Sequence, residues 1–464
     1  MSGLNTLLGI GTSALATFQR ALSVTGQNVS NVNTPGYSRQ QAILTETEPQ
    51  NGRPGQIGTG VQASEIRRSV DTFVEQQLLG SHQRLGQFTA SRGALLQVQP
   101  LFGDSNDQGL ATAMNDFFKA WQDVSTNPAD STARTVLLSK AASLSSRFNR
   151  TATDLASQRK SIDGQIGQAV TDINQLASRI ADLNKNISHV ELNGQQANDL
   201  RDERGRLLDD LGELVNVSSL EDDTGQLTVF VGLGHVLVDK HHTYQLAGAA
   251  NSSNASLLDV RYDAGGGPVT TLNSVITSGK LKGLLDVRDQ TIPSLQTSFD
   301  TLASTLVTQV NSQHQSGYGL DGSTGQNFFA PAGTTAGTIR VSLTDKQAIA
   351  ASSTSAGVPG NNVNALAIGN LQNANLSALG NITFGEYYGD VAGDFGSTVQ
   401  GAERDRNAQE IIHEQLEAHR AEISGVSLDE ELVNLLKYQR AFQAASRLIT
   451  VTDELMQTIL TLKR

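Results

Sequence analysis

Few side chains in this sequence are grouped in a way that could hold a metal ion. His241 and His242 are adjacent, and adjacent side chains on a strand point to opposite faces, so we expect structural or solvated histidines. Residues 321–325 lack the alternating acids and terminal Glu of a calcium-binding EF-hand loop and are typical of a turn. The chain has no cysteine, which excludes thiolate ligands and disulfides. The sequence therefore nominates no metal ligand and no cofactor.

The sequence also gives only weak evidence for catalytic residues. Gly232 and Gly234 are not followed by a predicted helix, so a hairpin turn is favoured over a phosphate-binding loop. Asp202 and Arg206 could place a carboxylate for acid–base chemistry, but their spacing on a helix favours an exposed ion pair. Spacing identifies no Ser/His/Asp triad. We expect no catalytic residue and a protein that is not an enzyme.

The composition limits the function further. A chain of 464 residues usually divides into about two to four domains. With 34 Lys plus Arg against 46 Asp plus Glu, the net charge is −12, and the basic surface that nucleic-acid binding needs is not expected. No apolar run approaches the roughly 20 residues of a membrane span, and the N-terminal residues do not resemble a cleaved secretory signal. A cytoplasmic protein and one exported without cleavage both remain possible.

Apolar side chains recur at alternating intervals of four and three residues at both ends of the chain. Such narrow stripes are typical of helices that pack on other helices, as in coiled coils. The residues that we expect to form these contacts are Leu4, Leu8, Leu15, Phe18, Leu22 and Val29 in the first stripe and Leu428, Leu432, Leu435, Phe442, Ile449 and Met456 in the second.

Two interpretations of these stripes are open. They could cover the core of the chain itself, or they could pair with each other and with neighbouring copies in an assembly. Residues 1–45 contain no acidic residue, and Arg20 and Arg39 are their only charges, whereas a solvated helix normally carries charges on its outer face. A neutral face suits enclosure by protein because an isolated buried charge is costly. We therefore favour assembly.

Helical periodicity also dominates much of the chain between these ends. It predicts helices over residues 110–124, 162–190, 295–310 and from about 387 onward. Asp130 or Ser131 is placed to cap the helix that follows Asn127-Pro128. Beyond residue 216 the period changes to two, which predicts a β-hairpin over 226–238 and strands over 257–262 and 339–343.

We expect a mainly α protein with a β-rich insertion. Its parts are terminal coiled-coil helices, an elongated helical-bundle domain and a small α+β or β domain. The expected boundaries are 1–36 with 425–464 for the terminal domain, 37–215 with 386–424 for the helical body, and 216–385 for the inserted outer domain.

Residues 28–37 closely resemble the N-terminal signature of the bacterial flagellar rod, hook and hook-associated proteins. Residues 424–443 resemble the matching C-terminal signature, and their Leu-Leu-Lys-Tyr-Gln is similar to the hook-associated protein 1 family. Residues 127–134 and 278–311 agree with that family, whereas 316–400 match least well. The motif residues of the first signature are Asn28, Asn31, Asn33, Thr34, Pro35, Gly36 and Tyr37.

The resemblance implies a structural subunit at the junction between the hook and the filament of the bacterial flagellum. Residues 4–32 would pair with 428–462 to form the inner wall of a tube, in a homo-oligomeric helical ring. The implied partners are the hook protein, a second junction protein (hook-associated protein 3) and an export chaperone at the C-terminal helix, with no nucleic acid and no membrane. The implied location is extracellular, after export through the flagellar type III apparatus without a cleaved signal peptide. A hook or rod subunit is the alternative, and a surface adhesin a more distant one.

Overall fold

The computed structural model describes residues 2–51, 55–103, 109–192, 194–265, 269–331 and 334–462. The helices in this part of the chain are α1 (Ser2–Ser30), α2 (Thr72–Val98), α3 (Leu110–Thr126), α4 (Ser131–Glu191), α5 (Asn198–Leu214), α6 (Gly279–Asp286), α7 (Ile292–Gln315), α8 (Val363–Asn370), α9 (Phe384–Ser424) and α10 (Leu428–Leu462). The strands are β1 (Gln40–Glu46), β2 (Gln50–Asn51), β3 (Gln56–Ile57), β4 (Val61–Arg68), β5 (Val217–Glu221), β6 (Leu227–Val231), β7 (His235–Asp239), β8 (His242–Thr243), β9 (Gln245–Asn251), β10 (Leu257–Asp263) and β11 (Thr270–Thr271).

The prediction of a mainly α protein with a β-rich insertion is confirmed by this order of elements. The two ends of the chain meet, because α1 lies against α10, and the antiparallel pair β1–β4 packs on α1. We call α1, α10, β1 and β4 the terminal unit. Over the described ranges, no helix has both the length and the apolar content needed to cross a bilayer.

The helical body is built around α4, which runs for 61 residues and so spans about 90 Å. Asp130 caps its first turn by accepting a hydrogen bond from the Thr132 amide at 2.7 Å. Every fourth or third residue of its second half is buried, for example Ile166, Ile173 and Ile180. The apolar stripe predicted over 162–190 is therefore the second half of one long helix.

An aromatic core joins α3 to the end of α7 and the segment after it. Trp121 and Phe328 have ring centroids 5.2 Å apart, and Phe328 meets Phe329 edge to face at 5.0 Å. Beside this core, the buried Arg134 donates hydrogen bonds to the carbonyls of Pro128 and Ile349. Burial lowers the pKa of Arg134 to about 10. The Asn-Pro turn before α4 is thus tied to residue 349 by one guanidinium group.

The β-rich region consists of antiparallel sheets that pack on α4. One sheet has the order β5-β6-β7-β8 and another β11-β10-β9, and they include the predicted hairpin and the predicted strand over 257–262. Asn184 of α4 is fully buried and donates to the carbonyls of Leu227 and Lys240 while accepting from the Leu227 amide. Because a buried amide is costly unless its polar atoms are bonded, Asn184 fixes how the sheet sits on α4.

The prediction of a strand over 339–343 is wrong. Only one bridge forms there, between Phe329 and Val341, and the amides of Ser342 and Leu343 both donate to the Phe328 carbonyl. In a β-sheet successive hydrogen bonds go to different residues along the neighbouring strand. Because the amides of Ser342 and Leu343 share the Phe328 carbonyl, no regular strand pairing forms here. The segment is therefore an irregular turn that packs apolar side chains without extending a sheet.

The buried core is continuous from α2 through the β-rich region to α9. Arg288, fully buried in a π-helical turn between α6 and α7, donates to Asp163 of α4 and to the Leu258 carbonyl of β10 at 2.6 and 2.7 Å. A guanidinium buried in this way needs partners on every side, so it joins helix, strand and turn. The three-part division of the chain given above stays a prediction.

Helix α2 approaches its neighbours closely because glycines stand at the crossings. A β-carbon added at Gly283 of α6 would lie 2.3 Å from the carbonyl oxygen of Gln87, which is backbone and cannot move aside. We expect Gly283→Ala to lower the free energy of unfolding by about 1–3 kcal/mol or more.

The matched control for this change is Gly164→Ala, at an exposed position of α4 with open space around the added carbon. It should raise stability by about 0.5–1 kcal/mol, since alanine orders more readily in a helix than glycine. Urea unfolding followed by circular dichroism measures both. Equal midpoints for the two variants would contradict the close packing of α2 on α6.

Candidate assembly site at the paired chain ends

The terminal unit has an antiparallel helix pair at its centre. Asn28, near the end of α1, contacts Glu431 near the start of α10, and Gly11 meets Ile449 further along. A β-carbon on Gly11 would lie only 2.7 Å from Cγ1 of Ile449, so glycine permits the close approach of the two helices. Leu4 and Met456 line the same small cavity at the far end of the pair. The two ends of the chain therefore contact each other along the length of α1.

The side of α10 that faces α1 includes four of the six stripe residues predicted there. Leu435, Phe442, Ile449 and Met456 are half-buried, as are all six predicted residues of α1. Leu428 and Leu432, by contrast, are 46% and 53% exposed and lie outside the contact. Buried and half-buried positions that alternate by four and three residues define the inner face of α10, which consists of Glu431, Leu435, Tyr438, Phe442, Ala445, Ile449, Thr452 and Met456.

A second set of apolar side chains on α10 is exposed to solvent in the described part of the chain. Of the 21 large hydrophobic side chains that are exposed in the described part of the chain, nine lie on this one helix. Their concentration is unusual because soluble monomers rarely leave contiguous apolar surface exposed. Seven of them form two groups at helical spacing, Leu428, Leu432 and Leu436 near the start of α10 and Val451, Leu455, Ile459 and Leu462 near its end, and we call the two groups together the outer stripe.

The neutral polar surface of α1 is partly covered by the β1–β4 pair. Thr17 is buried, and its hydroxyl donates to the carbonyls of Ser13 and Val61 at 2.8 and 2.9 Å. Ala21 and Val24 form a small core with Ala42 of β1. Other neutral side chains, such as Gln19 and Ser23, stay exposed. The lack of charge on α1 is thus explained in part by packing within the chain.

The family motif residue Asn28 lies at the centre of a buried polar network. Its amide nitrogen donates to the Gln40 carbonyl at 2.8 Å and to Glu431 at 3.1 Å. Its amide oxygen accepts from the Gln40 amide at 3.0 Å and from the Tyr37 hydroxyl at 2.9 Å. Every donor and acceptor of the side chain has a partner, and only asparagine or glutamine could supply both. We call Asn28, Tyr37, Arg39, Gln40 and Glu431 the Asn28 cluster.

Glu431 is 2% exposed and is held by charge as well as by Asn28. Arg39 bonds it at 2.8 Å with Nε and reaches Glu430 at 2.9 Å with a terminal nitrogen. Burial and the nearby carboxylates raise the pKa of Tyr37, so its hydroxyl stays protonated and able to donate to Asn28. A carboxylate at this position of α10 is therefore a specific connection between the two chain ends.

The rest of the motif shapes the turn that follows α1. The Tyr37 amide donates to the Thr34 carbonyl, and Gly36 has φ of +73°, as position three of a type II turn requires. A β-carbon at Gly36 would collide with the Arg206 side chain at 2.5 Å. Asn31 accepts from the Thr34 hydroxyl, while Asn33 and Pro35 are exposed. The turn thus directs the chain from α1 into β1.

The turn and β1 are anchored to the helical body through α5. Asp202 is buried and accepts hydrogen bonds from the Ser38 amide at 2.9 Å and from Arg68 at 2.6 Å. The expectation of an exposed Asp202–Arg206 ion pair is therefore wrong, because Arg206 instead donates to the Pro35 carbonyl. Asp199, one helical turn earlier, accepts from Gln40 at 2.7 Å. Sequence spacing alone could not reveal partners that lie more than 130 residues away.

The segments weighed for chemistry are turns or exposed side chains. Gly232 and Gly234 have positive φ in the β6–β7 hairpin, and His241 and His242 precede or begin β8 at the surface. Asp321 accepts from the Ser323 amide within a turn. A different set, His82, His413 and Glu417, brings three possible metal ligands within 4.8 Å of one another. In the sequence, the only indication of this set was that His413 and Glu417 are one helical turn apart.

The Asn28 cluster can be tested by a change of one atom. In Asn28→Asp, two hydrogen-bond donors are lost and a carboxylate faces Glu431 in a buried site, which should cost the terminal unit about 3 kcal/mol or more. Amide hydrogen exchange should then quicken throughout α1 while α4 keeps its protection. The control is Asn33→Asp at an exposed motif position. Unchanged protection of α1 in Asn28→Asp would refute the role given to this cluster.

Comparison with known proteins gives a consistent assignment. Residues 95–329 match the model described as the flagellar hook-associated protein FlgK helical domain. Residues 8–37 match the flagella basal body rod protein model, and residues 418–462 match the flagellar basal body rod FlgEFG protein C-terminal model. The three matches therefore cover both helices of the terminal unit and much of the body.

Similar proteins agree over nearly the whole chain. Flagellar hook-associated protein 1 of Bacillus subtilis is 28% identical over 98% of this chain and 98% of its own. The protein of the same name from Salmonella typhimurium is 26% identical over 99% of this chain and all of its own. The solved flagellar hook junction protein FlgK from Burkholderia pseudomallei shares the fold, with a TM-score of 0.67 and 18% identity over 75% of this chain and all of that one. The chain belongs to the FlgK family of flagellar hook-associated proteins.

Proposed function

We propose that this chain is a structural subunit of the junction between hook and filament, and that copies of it associate through the outer stripe of α10. The observation that carries the proposal is the division of α10 into two apolar surfaces. The inner face is used within the chain, whereas the outer stripe is left exposed along the same helix. Family membership supports the location, and the outer stripe supports the mode of association.

The energetic case depends on repetition. Burying one exposed Leu, Ile or Val side chain contributes about 1.5–3 kcal/mol, so the seven residues of the outer stripe would give a substantial contact even if only half of their area were covered. Association also costs translational and side-chain freedom, which a single contact scarcely offsets. In a closed ring or helical array each subunit makes such a contact on more than one side, and the contacts reinforce one another.

The inner wall of a tube is the position that we propose for the terminal unit. Helix α1 lies against α10 and also packs on β1 and β4, and the exposed side chains of α1 are mostly uncharged. The proposed domains, 1–36 with 425–464, 37–215 with 386–424, and 216–385, would then run from the inner wall outward.

The proposed partners are the hook protein on one side and hook-associated protein 3 on the other. We also propose export through the flagellar type III apparatus without a cleaved signal, with a chaperone bound to α10. An exposed apolar helix needs cover before assembly, which supports a chaperone at this position. The absence of cysteine means that no disulfide has to be broken for the chain to pass unfolded.

The test separates association from folding. In Leu432→Asp with Leu455→Asp, two charges enter the outer stripe at positions that are already exposed, so the monomer should keep its stability within about 0.5 kcal/mol. Buried between subunits, the same charges would be unpaired and strongly unfavourable. In a strain lacking the native gene, this variant should be secreted but should leave hooks without attached filaments, as counted by electron microscopy.

The matched control makes the same two changes at exposed apolar positions away from α10, with Leu220→Asp and Leu233→Asp, which are 67% and 75% exposed. It should restore filaments and swimming. Filaments attached at the normal frequency in the Leu432→Asp, Leu455→Asp variant would overturn the proposed contact. So would loss of filaments in the control, and an immunoblot of the medium checks that both variants are secreted.

A further inference from the structure

The interface between α2 and α9 contains two histidines whose rings are in contact. His82 of α2 and His413 of α9 have ring centroids 4.5 Å apart and planes inclined by 70°. Nδ1 of each ring is shielded from solvent. Nδ1 of His413 forms no hydrogen bond among the described residues, and Nδ1 of His82 has the Glu213 carboxylate near it, at 3.4 Å. A buried polar atom without a partner is costly, so the unpaired Nδ1 of His413 beside a second imidazole indicates that another species belongs between the helices.

The groups around the two rings suit a cation. Glu417 follows His413 by one helical turn, and the three residues offer ligand atoms that all lie within 4.8 Å of one another. Glu213 of α5 approaches His82 Nδ1 at 3.4 Å, a suitable place for a carboxylate that orients a ligating imidazole. Asp209 of the same helix and Glu417 also interact with the His82 ring. Arg420 lies on the other side of Glu417, with a terminal nitrogen 4.0 Å from its carboxylate.

We propose that His82, His413 and Glu417 form a binding site for a divalent transition metal, with Zn²⁺ as the expected ion. Two imidazoles and one carboxylate form a frequent zinc ligand set, and imidazole ligands disfavour Ca²⁺ and Mg²⁺, which prefer oxygen. A water molecule would complete the tetrahedral coordination. Ligand atoms up to 4.8 Å apart must move closer around an ion, which rotation of these side chains on adjacent helices can provide.

A metal ion bound at this site would hold α2 and α9 together. These helices are already joined by polar contacts on either side of it, between Gln409 and Ser81 at 2.8 Å and between Arg420 and Glu75 at 2.8 Å. Helix α9 leads directly into α10, which begins four residues after α9 ends. An ion bound at this point would fix the helix that carries the assembly surface to the body of the subunit. The proposal is independent of the proposed function, since it concerns the isolated chain.

The test uses the full-length monomer after removal of metals with EDTA and dialysis. Titration with ZnCl₂ by calorimetry should show one site per chain, and Co²⁺ should give the intense visible absorption of a tetrahedral complex. His413→Gln and Glu417→Gln should each weaken Zn²⁺ binding by more than the roughly 10–100-fold that loss of an outer partner costs. Zn²⁺ should raise the melting temperature of the wild type and not of these variants.

Two controls exclude binding elsewhere. His419→Gln alters an exposed histidine on the same helix, and a double change of His241 and His242 to Gln removes the exposed pair. Both should bind Zn²⁺ like the wild type. Because Glu417 is partly exposed, Glu417→Gln should fold even if His413→Gln does not. Absence of stoichiometric Zn²⁺ binding by the wild type, or equal binding by Glu417→Gln, would overturn the proposal.

Discussion

A carboxylate buried among polar groups connects the two ends of this protein. Glu431 and Asn28 are 403 positions apart in sequence, and their side chains meet where α1, α10 and β1 converge. In a site of low dielectric, a charge–amide contact of this kind is strong when every group is paired and unfavourable when any is missing. Arg39, Tyr37 and Gln40 supply the missing partners. The pairing of the chain ends in the correct register therefore depends on this cluster.

The apolar contribution to the same unit is small. Its buried hydrophobic residues among those described are Ala21, Val24 and Ala42, with Ala445 on the facing helix, all with short side chains. The helical body, by contrast, buries large side chains such as Trp121 and Phe117 completely. Polar contacts of defined geometry determine the register of two helices but add little to the free energy of folding. Buried apolar area adds much to that free energy but does little to determine the register. The terminal unit is thus well specified but weakly held until further apolar surface is covered.

Much of the fold could be predicted because periodicity acts locally. The long stripe over 162–190, the cap at Asp130 and the β6–β7 hairpin each depend on residues close in sequence. The face of α10 that meets α1 was predicted in part, because Leu435, Phe442, Ile449 and Met456 follow the period. Leu428 and Leu432 also follow a period, but Glu431 takes the inner position since Asn28 and Arg39 neutralise it. Hydrophobicity alone cannot anticipate a buried acid whose partners lie at the other end of the chain.

The terminal unit has a well-defined register but little buried apolar area, and the outer stripe explains why this combination is useful for a subunit that assembles. Were α10 apolar only on its inner face, the terminal unit would be complete as a monomer and would gain little from neighbours. If α1 could be held only with the help of neighbouring copies, the chain ends would have no defined structure before assembly. Each subunit would then have to pair α1 with α10 in the correct register during assembly. The Asn28 cluster sets the register first, and the outer stripe then adds the apolar area that the unit lacks. Because preordered surfaces lose less conformational entropy on association, a subunit built this way can join a growing structure through contacts that are individually weak.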